Sequence, residues 1–409
     1  MIPPHMITLS EVRRAGERIA PHIIRTPLVY SPTFSALCGY EVYLKLETMQ
    51  KAGSFKVRGA VNRILSCRGE IGKKGVIAAS AGNHAQGVAV AARLAGVPAT
   101  VVMPAWASVS KQAAARSYGA EVILSGVTLE ESIGHAQDLA KAGMTYIPAF
   151  DDPGVIAGQG TVGLEILEDL PETDLILVPV GGGGLIAGIA VAAKGMDPRV
   201  RVGGVQAAAC PSATEAVKAG RPVLVEAGAT LADGIRVRRV GDLAFPVLRD
   251  LVDEIVTVGE EEIAEAMLQL LERKKVIAEG AGAAPLAALM SGRVKAREGS
   301  RVVLVVSGGN VDTPLLDRVI HQGLVRNGRV LQAEVVLSDV PGALAGLLSV
   351  IATTGGNILQ IHHVRGGRDL PVQAVRVALE VETRDGEHRK EVIGAVEKEG
   401  YMIHVSPRD

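Results

Sequence analysis

The run LILVPVGGGGLIAGIAVAA, Leu175–Ala193, carries no charge and is long enough to meet the crude length of a membrane span. Its interior argues against one, because Pro179, the glycines 181–184 and Gly188 would interrupt a spanning helix. The run reads instead as a strand, a glycine loop and a buried helix. A strand that is apolar at successive positions has both faces covered, as in a parallel sheet with helices on each side. The same pattern recurs from Val76 to Leu324. GVIAAS, ATVVMP, AEVILS, DLILVPV, VRVGGVQ, DEIVTV and SRVVLVVS are expected strands, with helical runs between them. Gly259–Lys275 starts acidic and ends basic, as a helix macrodipole favours. Hydrophobic residues make up 48% of the chain but aromatics only 3%, so the core is built of Ala, Val, Leu and Ile. The fold class is α/β with doubly wound parallel sheets.

The 409 residues suit two or three domains. After about Gly328 the pattern changes. VLQAEVVLSDV, PGALAGLLSVIATTGG, NILQIHHVRGG, LPVQAVRVALEVE, GEHRKEVIGAVEKEG and YMIHVS read as β-α-β-β-α-β, the ferredoxin-like order. A net charge of -1 argues against a nucleic-acid partner. Cys38, Cys67 and Cys210 are scattered, which fits a reducing, cytoplasmic setting. No signal-peptide core stands at the N-terminus. His135, His362 and His363 lack ligand-like spacing, so no metal is expected.

Three expected strands run into polar, glycine-rich turns: GVIAAS into AGNHAQG, DLILVPV into GGGGL, and RVVLVVS into GGN. Ligands of open α/β sheets bind outside such strand ends. Small residues let backbone N–H groups approach an anion, and a helix N-terminus adds its dipole. Gly182, Gly184 and Ala187 also fit a dinucleotide pattern, but Gln206 stands where its acidic residue is expected, and no GK[ST] follows. A nicotinamide oxidoreductase therefore rests on that pattern alone. In KAGSFKVRGA, Gly53 and Ser54 make a turn, Ser54 can cap a helix, and Lys56 lies just inside it. Lysine amines condense with carbonyl cofactors. Lys56, a phosphate cradle, Asn83 for a ring hydroxyl and Ser307 for a ring nitrogen together suit pyridoxal 5'-phosphate. Lys51 reads as solvated, Glu279 as a helix cap, Asp233 as a turn residue, and Trp106 as part of the small domain.

On GSFKVRGA, SAGNHAQGV, VGGGGL and SGGN, in that order, with TLADGIRV (230–237) and AEGAGAA (278–284), the chain resembles the threonine/serine ammonia-lyases, or threonine dehydratases, among the tryptophan-synthase-β-like pyridoxal phosphate enzymes. The resemblance covers about residues 5–325. The remainder is similar to an ACT domain, on LSDVPGALAGL (337–347) and GGNILQIHH (355–363). The resemblance implies a type II fold, with a large domain at 1–52 and 150–325, a small domain at 53–149 and an ACT domain at 329–409. It implies a role for each matching residue. Lys56 holds the cofactor and later moves the Cα proton, while Phe55 packs near the ring. Asn83 bonds the ring hydroxyl and Ser307 the ring nitrogen. Gly181, Gly182, Gly183, Gly184 and Leu185 bind the phosphate. Ser80, Gly82, Asn83 and His84 line the substrate carboxylate site. The implied reaction is β-elimination of L-threonine to 2-oxobutanoate and ammonia, with L-serine giving pyruvate. The alternatives are an L-serine ammonia-lyase, a 3-hydroxyaspartate dehydratase or a non-catalytic amino-acid sensor. Related racemases carry a second serine where this chain has Ala81, so little racemisation is expected. They also carry an acidic cation ligand where this chain has Gln206, so no divalent site is expected there, while a monovalent cation stays open. The ACT domain implies an amino-acid or nucleotide effector, isoleucine or valine first, near Asp339, Pro341 and Gly342. It also implies a homodimer or homotetramer, with a place in isoleucine biosynthesis and no membrane partner.

Overall fold

A computed structural model describes residues 7–365 and 370–405. The chain forms two compact units, Met1–Asp312 and Thr313–Asp409. The first holds two sheets. Its strands are β1 (Leu28–Tyr30), β2 (Glu41–Leu46), β3 (Val76–Ala79), β4 (Ala99–Met103), β5 (Glu121–Leu124), β6 (Thr145–Tyr146), β7 (Leu175–Pro179), β8 (Arg201–Ala207), β9 (Glu254–Val258) and β10 (Arg301–Val306). The larger sheet runs β1-β2-β10-β7-β8-β9 and is parallel except for the β1–β2 pair. The smaller sheet, β5-β4-β3-β6, is parallel throughout. Every strand expected in this region is present, and the Leu175–Ala193 run divides into β7, a loop and the helix Gly184–Met196. No helix among the described residues is long and apolar enough to cross a membrane.

The helix Pro153–Asp169 is the hub of the larger layer. Asp152 caps it by accepting the Val155 N–H, and Pro153 opens its first turn. Its side chains from Val155 to Leu167 are buried. It packs on the helix Gly184–Met196 through Gly160 and Gly188. A Cβ at Gly188 would lie 2.4 Å from the Ile156 carbonyl oxygen and 2.5 Å from the Gly160 nitrogen. The two backbones therefore touch with no side chain between them.

Beneath the helix Lys56–Ser66 lies a buried charge cluster. Arg58, at 0% exposure, donates to both carboxylate oxygens of Glu47 (2.7 and 2.8 Å) and of Glu165 (2.6 and 2.9 Å). Lys45, also at 0%, donates to Glu165 at 2.6 Å and to the Thr26 carbonyl at 2.8 Å. The two cations and two anions balance, and their donors are matched by acceptors. That matching lets such a cluster persist despite its desolvation.

The second unit carries β11 (Val330–Ser338), β12 (Asn357–Arg365), β13 (Ala374–Glu382) and β14 (Ile403–Val405) in the antiparallel order β12-β13-β11-β14. The helices Ala343–Thr353 and Gly386–Lys398 complete the ferredoxin-like arrangement, and the helix Thr313–Arg326 falls in the same unit. β13 alternates, burying Val375, Val377, Leu379 and Val381. The last two residues of the expected strand NILQIHHVRGG and the turn after it, together 366–369, and the last residue of the expected final strand, Ser406, lie outside the described residues.

Gly188→Ala should force the two hub helices apart and lower unfolding free energy by about 1–3 kcal/mol, the usual penalty of overpacking. Gly69→Ala, with nothing within 4 Å of its added Cβ, should stay within about 0.5 kcal/mol. Urea unfolding of the two variants makes the comparison.

Candidate active site

The site forms where turns from both sheets of the first unit meet. Gly53, at φ 67°, reverses the chain, and Ser54 then runs extended beside Gly308. The Gly309 N–H donates to the Gly53 carbonyl (3.0 Å), the Phe55 N–H to the Ser307 carbonyl (3.1 Å), and Asn310 Nδ2 to the Ala52 carbonyl (2.8 Å). These bonds fasten the start of the Lys56 helix to the C-terminal end of β10. The expected cap is not made. Phe55 is the N-cap residue, and the buried Ser54 hydroxyl has no partner among the described residues, because its extended backbone points it into the bridge with Gly308. Lys51 is not simply solvated either, since its amine donates to the His22 carbonyl at 2.7 Å.

Lys56 Nζ donates to the Ala149 carbonyl at 2.8 Å and lies 5.2 Å from the centre of the Phe55 ring. The side chain as a whole is half-buried, but desolvation of the amine pulls its pKa down to about 8, with Glu279 pulling the other way. An amine with a pKa of about 8 is roughly a tenth neutral at pH 7, some 300-fold more than an ordinary lysine.

The next residue after Ala149 ties the lysine to the glycine loop. A Cβ at Gly182 would fall 2.4 Å from the Phe150 ring, and one at Gly184 would fall 2.8 Å from the Phe150 carbonyl. Gly183 has φ 93°, a conformation open chiefly to glycine. Among the described residues, no loop or turn carbonyl takes the N–H groups of Gly181, Gly182 or Gly183. Gly184 and Leu185 open the helix Gly184–Met196, so their N–H groups are among its orphan donors. The loop is a cradle of bare N–H groups at a helix N-terminus, which fits a phosphate.

β3 ends beside Ser80, whose hydroxyl accepts the Gly82 N–H at 3.1 Å. Asn83 opens the helix Asn83–Ala95. Its Nδ2 donates to Glu279 Oε1 at 2.7 Å, and its Oδ1 accepts from Asn310 at 2.8 Å. His84 is buried, with Nε2 on the Ile147 carbonyl at 2.9 Å, so Nε2 carries the proton and Nδ1 is left bare. Burial, then the nearby Lys56 charge, hold its pKa down to about 3, and the ring is neutral. Ser307, 2% exposed, follows β10 directly. Lys56, Phe55, Asn83, the 181–185 loop and Ser307 thus all border this region, as do Ser80, Gly82 and His84.

Glu279 corrects an expectation. It precedes the helix Gly280–Met290 but its side chain makes no cap. It points instead at Asn83, and burial, then Asp233, raise its pKa to about 7. The sequence hid this, because an acid before a helix is commonplace and only burial sets it apart. Asp233 faces Lys111 at 3.0 Å, Trp106 is a surface residue at 64% exposure, and Gln206 is fully buried with its oxygen on the Ala213 and Thr214 N–H groups. In the second unit, Asp339 pairs with Arg365 at 3.0 Å, and Gly342, next after Pro341, has φ 90° where the helix Ala343–Thr353 begins.

Two parallel sheets, a lysine at a helix start and a glycine phosphate loop define a pyridoxal phosphate enzyme of the two-sheet type II fold. The chain belongs to the pyridoxal-phosphate dependent enzyme family, whose model matches residues 19–308. It is 47% identical over 401 residues to the L-threonine ammonia-lyase of Thermotoga maritima, covering 98% of this chain and 100% of that protein. The L-threonine ammonia-lyase of Geobacter sulfurreducens is 48% identical with the same coverage. Among solved structures, the threonine deaminase of T.th. (TM-score 0.70, 44% identity) covers 75% of this chain and 99% of its own. Maize serine racemase (TM-score 0.73, 38% identity) covers 78% and 98%.

Because only the neutral amine attacks an aldehyde, the rate at which cofactor-free protein captures pyridoxal phosphate should rise with pH and level off above about 8. Stopped-flow absorbance follows it, and a midpoint near 10.5, the ordinary value, would contradict the desolvated amine.

Proposed function

We propose that this chain is an L-threonine ammonia-lyase, which converts L-threonine to 2-oxobutanoate and ammonia and takes L-serine to pyruvate by the same route. The observation that carries this is the Lys56 amine, resting on the Ala149 carbonyl beside a glycine phosphate cradle. Relatives that match 98% of the chain are named for that activity.

Pyridoxal phosphate, bound here, supplies an electron-withdrawing ring joined to the substrate Cα. The chain's own groups do the remaining work. The N–H groups of residues 181–185 hold the phosphate, and Phe55 packs at the ring. Asn83 keeps an N–H for the ring oxygen, and the Ser307 hydroxyl meets the ring nitrogen. The Ser307 hydroxyl is a neutral partner and would leave that nitrogen unprotonated, so that the ring would store little negative charge. Loss of the β-hydroxyl relieves charge as it develops and is favoured over a long-lived carbanion. Ser80, Gly82, Asn83 and His84 surround the substrate carboxylate at the N-terminus of the helix Asn83–Ala95, where the dipole favours an anion. Lys56, neutral in part at pH 7, takes the Cα proton. Position 81 is alanine, with no group to return a proton from the other side, so elimination outruns racemisation.

Residues 329–409 serve in this proposal as an ACT domain, on the strength of their β-α-β-β-α-β order. They would bind an amino-acid or nucleotide effector, isoleucine or valine first, at the turn of Asp339, Pro341 and Gly342, in a cytoplasmic homodimer or homotetramer. A monovalent cation is compatible with this scheme.

Lys56→Ala should lose both threonine turnover and the visible absorbance of lysine-bound cofactor, and normal turnover in that variant would refute the assignment. On the intact enzyme, kcat/KM for threonine should exceed that for serine and for 3-hydroxyaspartate. Truncation after Gly328 should leave part of the activity and remove any response to isoleucine, valine or AMP. A response kept by the truncated enzyme would take the sensor out of the tail.

A further inference from the structure

A partly buried chain of polar groups crosses the site and ends on the buried Glu279, a residue to which the elimination scheme gives no task. The Ala52 carbonyl accepts from Asn310 Nδ2, which also donates to Asn83 Oδ1 (2.8 Å each), and Asn83 Nδ2 donates to Glu279 Oε1 at 2.7 Å. The far end is fixed by backbone, because the Glu279 N–H donates to the Gly308 carbonyl at 3.1 Å. Space is fixed too, since a Cβ at Gly308 would lie 2.6 Å from Glu279 Oε1. The order of donors and acceptors leaves one orientation for the Asn83 amide. Its oxygen is taken by Asn310, so its nitrogen must face Glu279, with one N–H still unused. Were the amide turned over, its oxygen would meet a carboxylate oxygen and its nitrogen would meet the Asn310 donor.

We propose that Glu279 is a positioning residue for the cofactor, accepting from Asn83 as a neutral carboxyl so that the unused Asn83 N–H is aimed at the ring oxygen. This rests on the pyridoxal phosphate reading of the site. A neutral acceptor suits what has to bind there. Both the ring oxygen and the phosphate are anionic, and a buried carboxylate facing them would oppose binding. The charges around Glu279 come from each element packed on it. Asp233, which opens the Asp233–Ile235 turn, favours the neutral form. The Asn83 hydrogen bond itself, then Lys111 and Lys56, from the helices Val109–Ser117 and Lys56–Ser66, favour the ionised one. Asp233 and Asp312 in turn hold the Lys111 charge at 3.0 and 3.9 Å. The balance of these, with burial first, leaves Glu279 titrating at about 7. As pH rises through that value the ionised fraction grows and cofactor affinity should fall.

The test compares full-length wild type, Glu279→Gln and Glu279→Ala, each stripped of cofactor and titrated with pyridoxal phosphate by visible absorbance from about pH 6 to 9, with Tm measured alongside. Glutamine keeps the acceptor and cannot ionise. It should bind the cofactor within about threefold of wild type at pH 6 and keep threonine turnover, whereas alanine should bind at least about tenfold more weakly, the loss expected for one such hydrogen bond. The ratio of wild-type to glutamine-variant Kd should climb through about pH 7. Loss of the Glu279 pull on Lys56 acts the other way, lowering the ratio as pH rises through about 8, so a climb through about pH 7 belongs to Glu279 itself. An alanine variant that binds as wild type does would overturn the positioning role. A glutamine variant as weak as alanine, at unchanged Tm, would overturn the neutral-acceptor role, and so would a ratio flat across pH. Wild type that shows no cofactor band at all would remove the pyridoxal phosphate reading itself, and this inference with it.

Discussion

Lys56 is placed by a part of the chain some 250 residues away. Ala52, Gly53, Ser54 and Phe55 are fastened to residues 307–310 by backbone pairing and one asparagine. Each hydrogen bond contributes about 1 kcal/mol net, so the seam matters more for geometry than for stability. It makes the helix Lys56–Ser66 an extension of the C-terminal end of β10, an interior strand of the larger sheet. The same helix presents Lys56 to the site and Arg58, two residues on, to the buried charge cluster. Arg58 reaches Glu47, just beyond β2, and Glu165, on the hub helix. The lysine is therefore held from above by the end of β10 and from below by four charges that cannot shift singly.

Burial then sets the charge state of the site. Lys56 is drawn toward neutrality, His84 is neutral, and Glu279 titrates near pH 7. The lysine and the glutamate, charged in water at pH 7, become adjustable here, the histidine is fixed neutral, and the dipoles of the glycine loop and of the helix Asn83–Ala95 remain to meet anions. Proton-moving chemistry needs adjustable groups and anion binding needs fixed ones, and the fold supplies each from a different source.

Most strands legible in the first unit, β3, β4, β7, β8 and β10, are covered on both faces, and uninterrupted apolar runs announce them. β1 and β6 are too short for any period to show. β2 is hidden for another reason. Its sequence EVYLKL carries Lys45, which looks like a surface residue until Glu165 and Thr26 are found beside it. The site follows the same rule. Lys56, Asn83, the 181–184 glycines and Ser307 stand at strand ends or helix starts, positions that local sequence marks. Glu279 stands at a helix start as well, yet its role depends on a partner 196 residues away. The Ser54 hydroxyl has the local pattern of a cap for its own helix, and long-range pairing with Gly308 turns it elsewhere. Local chemistry is legible, whereas desolvation and partnership across the fold are not.

The contact between Gly160 and Gly188 bears on how the cleft could admit a substrate. With no side chains between them to change rotamer, the hub helix and the helix behind the glycine loop behave as a single rigid strut. The phosphate cradle, Glu165 and the floor of the charge cluster all ride on that strut. It has no compliant layer, and residues 52–55 are fastened to residues 307–310, so these walls do not part by side-chain rearrangement. The Ala149 carbonyl under the Lys56 amine is one residue from Phe150, which packs on the glycine loop at Gly182 and Gly184, so an entering substrate meets an amine and a loop whose spacing is set by backbone.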